Sequence, residues 1–367
     1  MTRCVTADAA AIGREIFGTL ADGTPVEAVT LSNRHGLCAR IIALGATLQS
    51  LTAPDRDGTL ANITLGYASL DGYVRNLHYF GATVGRYANR IARGRFVLDG
   101  EAWQLPINNP PNSLHGGTHG FDKVVWIIDE VRQESGKSSV GLSLVSPDGD
   151  MGYPGTLRVT ATYTLDDSNR LSIEYGATTD KSTVVNLTHH AYWNLAGEGS
   201  GSAMRQLLTI PADAYLPVND TQIPTGEIRD VTGTAFDFRQ GKPIGRDIRR
   251  GDDLQLRYGR GYDHSWVIGR AATHEPRMVA KVEDPLSGRV MTLLSTKPGL
   301  QFYSGNFLDG TSVGTGGYAY RQGDAFALEP QFHPDTPNQP AFGSARLAPG
   351  QTYRHVMVYE FTTQPDR

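Results

Sequence analysis

No fifteen-residue stretch of this chain carries the three- and four-residue apolar spacing of an amphipathic helix, and that absence decides most of what the chain can fold into. Without long helices there are no βαβ units, and a doubly wound parallel sheet is excluded. What recurs instead is the short, β-branched or aromatic run: residues 25–31, 37–44, 157–165, 171–178 and 353–361. Turn residues separate these runs at 21–24, 55–58, 99–100 and 166–169. Two hairpins are explicit, one closing residues 96–105 around Asp99-Gly100 and one joining 157–165 to 171–178. Weak helical signals remain at Leu70–Arg75 and across 244–256. The long segment 195–260 reads as loop, anchored by Tyr215, Leu216, Phe236 and Phe238. The fold class is all-β, a large sandwich rather than a propeller, with few short helices.

At 367 residues the chain is long enough for two domains, but large β folds of this size are often one unit. One domain over 1–367 is expected, with about the first twelve residues lacking fixed structure. A formal net charge of −4 gives no electrostatic reason for binding nucleic acid or an anionic membrane. Cys4 and Cys38 are too few for a disulfide framework and fit no zinc spacing. There is no signal-peptide core near the start and no apolar run long enough to span a bilayer, so a cytoplasmic protein is expected.

Chemistry-bearing residues concentrate in five glycine- or proline-rich segments. In GRYANRIA (85–92), Asn89 and Arg90 can donate fixed hydrogen bonds to hydroxyls. Arg86 reads better as a surface ion pair, and for Arg90 the two readings stand level. In NNPPNSLHGGTHG (108–120), His115 and His119 have the spacing of a helical zinc pair, but Gly116-Gly117 makes a helix there implausible. Those glycines would let a ligand approach the backbone. In VVNLTHHAYWNL (184–195), His189 and His190 face opposite sides if the segment is a strand, and Tyr192 and Trp193 offer aromatic surface for sugar C–H faces. In GYDHSW (261–266), Asp263 is either a turn residue or a pocket carboxylate needing donors. In AFALEPQFHPD (325–335), Glu329 ends an apolar strand, where an acid is expensive unless it is paired or functional. A partly desolvated carboxylate has a raised pKa and can serve as a base near neutral pH. The Gly-rich run 314–317 opens no helix, so a phosphate cradle is weakly supported.

Taken together, these segments resemble the aldose 1-epimerase (galactose mutarotase) family. The matching stretches are GRYANRIARGRF (85–96), NNPPNSLHGG (108–117), VNLTHHAYWNLAG (184–197), GYDHSW (261–266), GLQFYSGNFLDG (299–310) and ALEPQFHPDTPNQP (327–340), with similarity running from about residue 17 to 361. The resemblance implies a β-supersandwich, monomeric or dimeric, binding a monosaccharide without cofactor or metal. It implies Glu329 as general base and His190 as general acid, with His115 near the sugar's ring oxygen and Asn89, Arg90, Asp263 and Gln301 holding hydroxyls. His189 stands where the family usually has Asn, and Trp193 where it usually has Phe, which suggests an altered wall.

Such an enzyme interconverts the α and β anomers of a free aldose. It deprotonates the anomeric hydroxyl, protonates the ring oxygen and lets the opened chain rotate before closure. Two rivals use the same residues: a glycoside hydrolase with Glu329 and Asp263 as its carboxylates, and a non-catalytic sugar-binding module.

Overall fold

The computed structural model describes residues 11–75 and 78–365. Most of the expectation about the first twelve residues therefore lies outside the described part. Within it, the first strand already begins at Ala11.

Strands dominate the described residues, and the two α-helices among them, Leu70–Val74 and Leu254–Gly259, are short. The second lies later than the 244–256 signal because its cap is Asp253, whose carboxylate accepts from the Gln255 and Leu256 amides at 2.9 and 3.3 Å. Both expected hairpins form. Phe96 pairs with Trp103 across the Asp99-Gly100 turn, both turn residues having positive φ. Leu157–Asp166 pairs with Arg170–Thr179 along its length.

Three antiparallel sheets make the body. A five-stranded meander runs from Ala11 to Asn62. A nine-stranded sheet is ordered Ile127–Glu134, Lys137–Ser146, Leu157–Asp166, Arg170–Thr179, Tyr353–Thr363, Arg289–Ser295, Arg277–Glu283, Leu207–Thr209 and Lys242–Pro243. A six-stranded sheet is ordered Tyr192–Trp193, Phe326–Gln331, Gly299–Tyr303, Asp263–Val267, Ala214–Leu216 and Arg229–Asp230.

One apolar cluster joins their inner faces, with Leu31 and Leu48 from the first sheet, Val159, Ile173 and Met357 from the second, and Trp266, Phe302 and Leu328 from the third. This is the sheet-on-sheet packing of a sandwich. The loop-rich segment is anchored as expected, since Tyr215 and Phe236 stack at 4.1 Å and Phe238 is buried beside Tyr262 and Phe302.

The six-stranded sheet sorts its side chains between two faces. Its register sets Gln301 opposite both Glu329 and Ser265, Tyr303 opposite Asp263, and Tyr192 opposite Ala327. Residues opposite one another, and those two apart, share a face. Trp193, Trp266, Leu300, Phe302, Phe326 and Leu328 therefore face the core, while Tyr192, Asp263, Gln301, Tyr303 and Glu329 face away from it.

Candidate active site

Over that second face lies a cleft of about 460 Å³, within the ~300–1,000 Å³ usual for small-molecule sites. Asn89, Arg90, His115, His190, Asp263 and Glu329 all line it. Gln301 is bound to it indirectly, its side-chain amide donating to Asp263 Oδ1 at 2.7 Å. The structure thus brings the sequence-predicted residues together from six separate segments.

Glu329 lies inside the strand Phe326–Gln331 rather than at its end, because the strand continues through Pro330 to Gln331. Asp263 opens a strand and is not a turn residue. His190 follows the short strand Thr188–His189, whose Thr188 hydroxyl donates to the Pro330 carbonyl at 2.8 Å. That bond ties the histidine segment to the one bearing Glu329, and His190 Nε2 stands 3.6 Å from Glu329 Oε1. His189 points the other way, into the core between Tyr163 and Tyr359.

The 108–117 loop is built by its asparagines. Asn108 donates to the Leu114 and Gly117 carbonyls, both at 2.9 Å, and accepts from the Leu114 amide. His115 and Asn89, both with positive φ, bond to each other twice. The His115 amide donates to the Asn89 carbonyl, and the Asn89 amide donates to His115 Nδ1 at 3.2 Å. The backbone therefore fixes the tautomer. With Nδ1 accepting, a neutral His115 carries its proton on Nε2. Gly116 serves the backbone and not a ligand, since a Cβ there would sit 1.9 Å from the Gly85 carbonyl oxygen. His119 is exposed, so no zinc pair forms with His115.

Two further expectations are corrected. Arg86 makes no surface ion pair; it is 2% exposed, and its guanidinium donates to the carbonyls of Ser146, Pro147, Pro154 and Gly155. Trp193 is no cleft wall; alternation turns it into the core against Tyr359 and Phe361, while Tyr192 faces the cleft.

The electrostatics of the cleft are set by burial. Loss of water, reinforced by the Asp263 charge, pushes Glu329 well above the usual carboxylate range, with Arg90 pulling the other way. Burial lowers His190 to about 4, and burial, with His190 and Arg90 nearby, holds His115 well below the ordinary imidazole value. Asp263 is raised by burial, against the pull of Arg90, whose Nη1 lies 3.9 Å from Asp263 Oδ2, and of Gln301. Arg90 Nε donates to Asn109 Oδ1 at 3.0 Å. Glu329 Oε2, His190 Nδ1 and Gln301 Oε1 have no hydrogen-bond partner among the described residues.

One ligand atom from each of His115, His190 and Glu329 lies within 4.8 Å of the others, a donor set that zinc enzymes also use. The Asn89 amide works against a metal there, because it leaves the cleft-facing nitrogen of His115 protonated.

Sequence reasoning missed Tyr79, Asn109, Tyr303, Phe307 and the rim formed by Asp220, Thr221, Gln222, Tyr258 and Arg260. Asn109 and Tyr303 sit within the matched stretches, and their polar neighbours were the available signal. Nothing in the sequence around Tyr79 marks it.

A buried carboxylate facing an imidazole, under a wall of amide, guanidinium and phenol groups, is an arrangement suited to acid–base chemistry on a small hydroxylated molecule. Comparison with known proteins narrows the class. The family model for aldose 1-epimerase matches residues 27–360. Galactose mutarotase of Rattus norvegicus is 45% identical over 96% of this chain and 98% of its own length, and aldose 1-epimerase of Escherichia coli is 42% identical over 94% and 97%. The crystal structure of galactose 1-epimerase from Lactobacillus acidophilus superposes with a TM-score of 0.85 at 29% identity, covering 97% of this chain and all of that one. The chain belongs to the aldose 1-epimerase family. It is an isomerase with the galactose mutarotase-like fold.

Proposed function

We propose that this protein interconverts the α and β anomers of free aldoses, galactose and glucose first among them, with Glu329 as general base and His190 as general acid. The carrying observation is the 3.6 Å approach of His190 Nε2 to Glu329 Oε1, both buried on the cleft floor.

Anomer exchange moves one proton off the anomeric hydroxyl and another onto the ring oxygen, and closure reverses both transfers. With a proton on His190, Glu329 takes the anomeric proton while His190 supplies the ring oxygen. After rotation about C1–C2 the two exchange roles. In water a carboxylate at 4.5 and an imidazole at 6.5 would hold the proton firmly on the histidine. Burial raises the first and lowers the second, which works against that bias and eases the proton's movement between histidine and carboxylate. A reversible ring opening needs that. His115, donating from Nε2, suits the ring oxygen or its neighbour, and Asn89, Arg90 and the Gln301-held Asp263 suit hydroxyls. Asp263 is engaged by Gln301 and Arg90, which favours a binding role over that of a hydrolase's second proton carrier.

Each proton transfer is typically worth about 10²–10⁴-fold. Polarimetry of fresh α-galactose and α-glucose tests the reading. Glu329→Gln is expected to bind sugar and lose nearly all turnover, and wild-type rates in that variant would refute the base assignment. We also propose that residues 1–367 form one domain, on the strength of the shared apolar cluster. A single calorimetric transition is expected, and two separated transitions would oppose it.

A further inference from the structure

Tyr79 is an aromatic residue with φ +59°, a conformation that a bulky side chain adopts only when its surroundings impose it. The imposing contacts are visible. Phe80 is buried against Tyr67, Tyr192 and Tyr320. Gly81 donates to the His190 carbonyl at 3.0 Å, and a Cβ on it would meet the Leu48 carbonyl oxygen at 2.0 Å. The Tyr79 carbonyl accepts from the Ala82 amide, closing a tight turn.

The turn delivers the Tyr79 ring to the cleft, where its centroid lies 4.6 Å from that of His115 and 5.7 Å from that of His190. It is stacked on His190 at 29° between planes, and Tyr192 is stacked on the same imidazole at 5.2 Å and 25°. His115 and His190 meet edge to face at 5.2 Å. His190 Nδ1 has no hydrogen bond to any other described residue to orient the ring. Most working imidazoles are aimed by a partner on their second nitrogen; here two phenol rings occupy that role.

We propose that Tyr79 is a positioning residue for anomer exchange, its ring holding the His190 imidazole in the plane that aims Nε2 at Glu329 and keeping His115 at its working angle. The electron-rich ring face also favours the imidazolium whenever His190 is charged. This rests on the reading of His190 as the acid.

Tyr79→Asn removes the ring and keeps a residue tolerant of positive φ. The expected result is a kcat lower by about ten- to a hundredfold, as for a misplaced reacting group, with KM changed far less and the melting temperature held or raised. Tyr79→Phe keeps kcat close to wild type, and the imidazole resonances of His190 shift in Tyr79→Asn but not in Tyr79→Phe. Wild-type kcat in Tyr79→Asn, or equal loss in both variants, overturns the proposal. Should Tyr79→Asn fail to fold, the wild-type protein decides. Nuclear Overhauser contacts between Tyr79 ring protons and the His190 imidazole are expected, and their absence overturns it. A fully active Glu329→Gln would sink the acid–base reading itself, whereas an inactive Glu329→Gln beside a fully active Tyr79→Asn would sink only the role of Tyr79.

Discussion

The strands Leu157–Asp166 and Phe326–Gln331 both alternate, but against different surroundings. In the first, buried Leu157, Val159, Ala161, Tyr163 and Leu165 interleave with solvent-facing Arg158, Thr160 and Thr162. In the second every residue is buried, and the alternation survives only as chemistry: Phe326 and Leu328 toward the core, Glu329 toward the cleft. A polar residue facing water costs nothing, so Thr160 needs no function. A carboxylate closed off from water is destabilising unless something holds it there, so the second pattern marks a site.

The sharpest test of this contrast sets the two faces of the six-stranded sheet against each other. Glu329→Gln should lower kcat by about 10³-fold or more, while its melting temperature stays level or rises because a desolvated carboxylate is removed. Phe302→Ala, on a neighbouring strand but facing the core, should lose about 3–5 kcal/mol of stability while the folded fraction turns over normally. Denaturant titration with polarimetry on both variants separates the effects, and a Glu329→Gln protein as unstable as Phe302→Ala would erase the distinction.

A comparable effect, spread over several pH units, comes from His264, which faces the core on the same sheet. Burial holds His264 at about 3, so it stays neutral in the folded chain, whereas the unfolded chain titrates near 6.5. For a base with a depressed folded-state value, the unfolded state binds more protons below 6.5. Stability should fall as pH drops from about 6.5 toward 3, by up to about 1.4 kcal/mol per pH unit for this group. Urea midpoints against pH should show a shallower slope in His264→Asn; an unchanged slope would mean the acid sensitivity lies elsewhere. The smallest effect belongs to the solvent face: Arg158→Gln should change stability by no more than about 0.5 kcal/mol, and a larger loss in a melting curve would show that this face is not free.

Much of this was legible in the sequence for the same reason. Period-two runs, with an Asp-Gly turn at 99–100 and an Asp-Asp-Ser-Asn turn at 166–169, declared the hairpins at 96–105 and 157–178 because local geometry suffices for them. Glu329 stood out because an acid in an apolar run has a cost that must be met somewhere. Arg86 was misread because its partners are mostly main-chain carbonyls some sixty to seventy residues away, which carry no side-chain signature. Trp193 was misread because its facing depends on the register with Phe326, fixed by pairing across the sheet. The choice of His190 over His189 rested on resemblance, since opposite facing alone does not say which side holds the cleft. Tyr79 was invisible because its importance lies in a backbone angle.

Arg86 has a bearing on redesign. An engineer seeking new chain ends would be drawn to the glycine-rich bend at 147–155, which lies at the surface between two long strands. Its guanidinium gathers four carbonyls from the two sides of that bend, and it sits three residues from Asn89 on the segment that lines the cleft. Opening the chain there would free the clasp and loosen the sugar pocket with it.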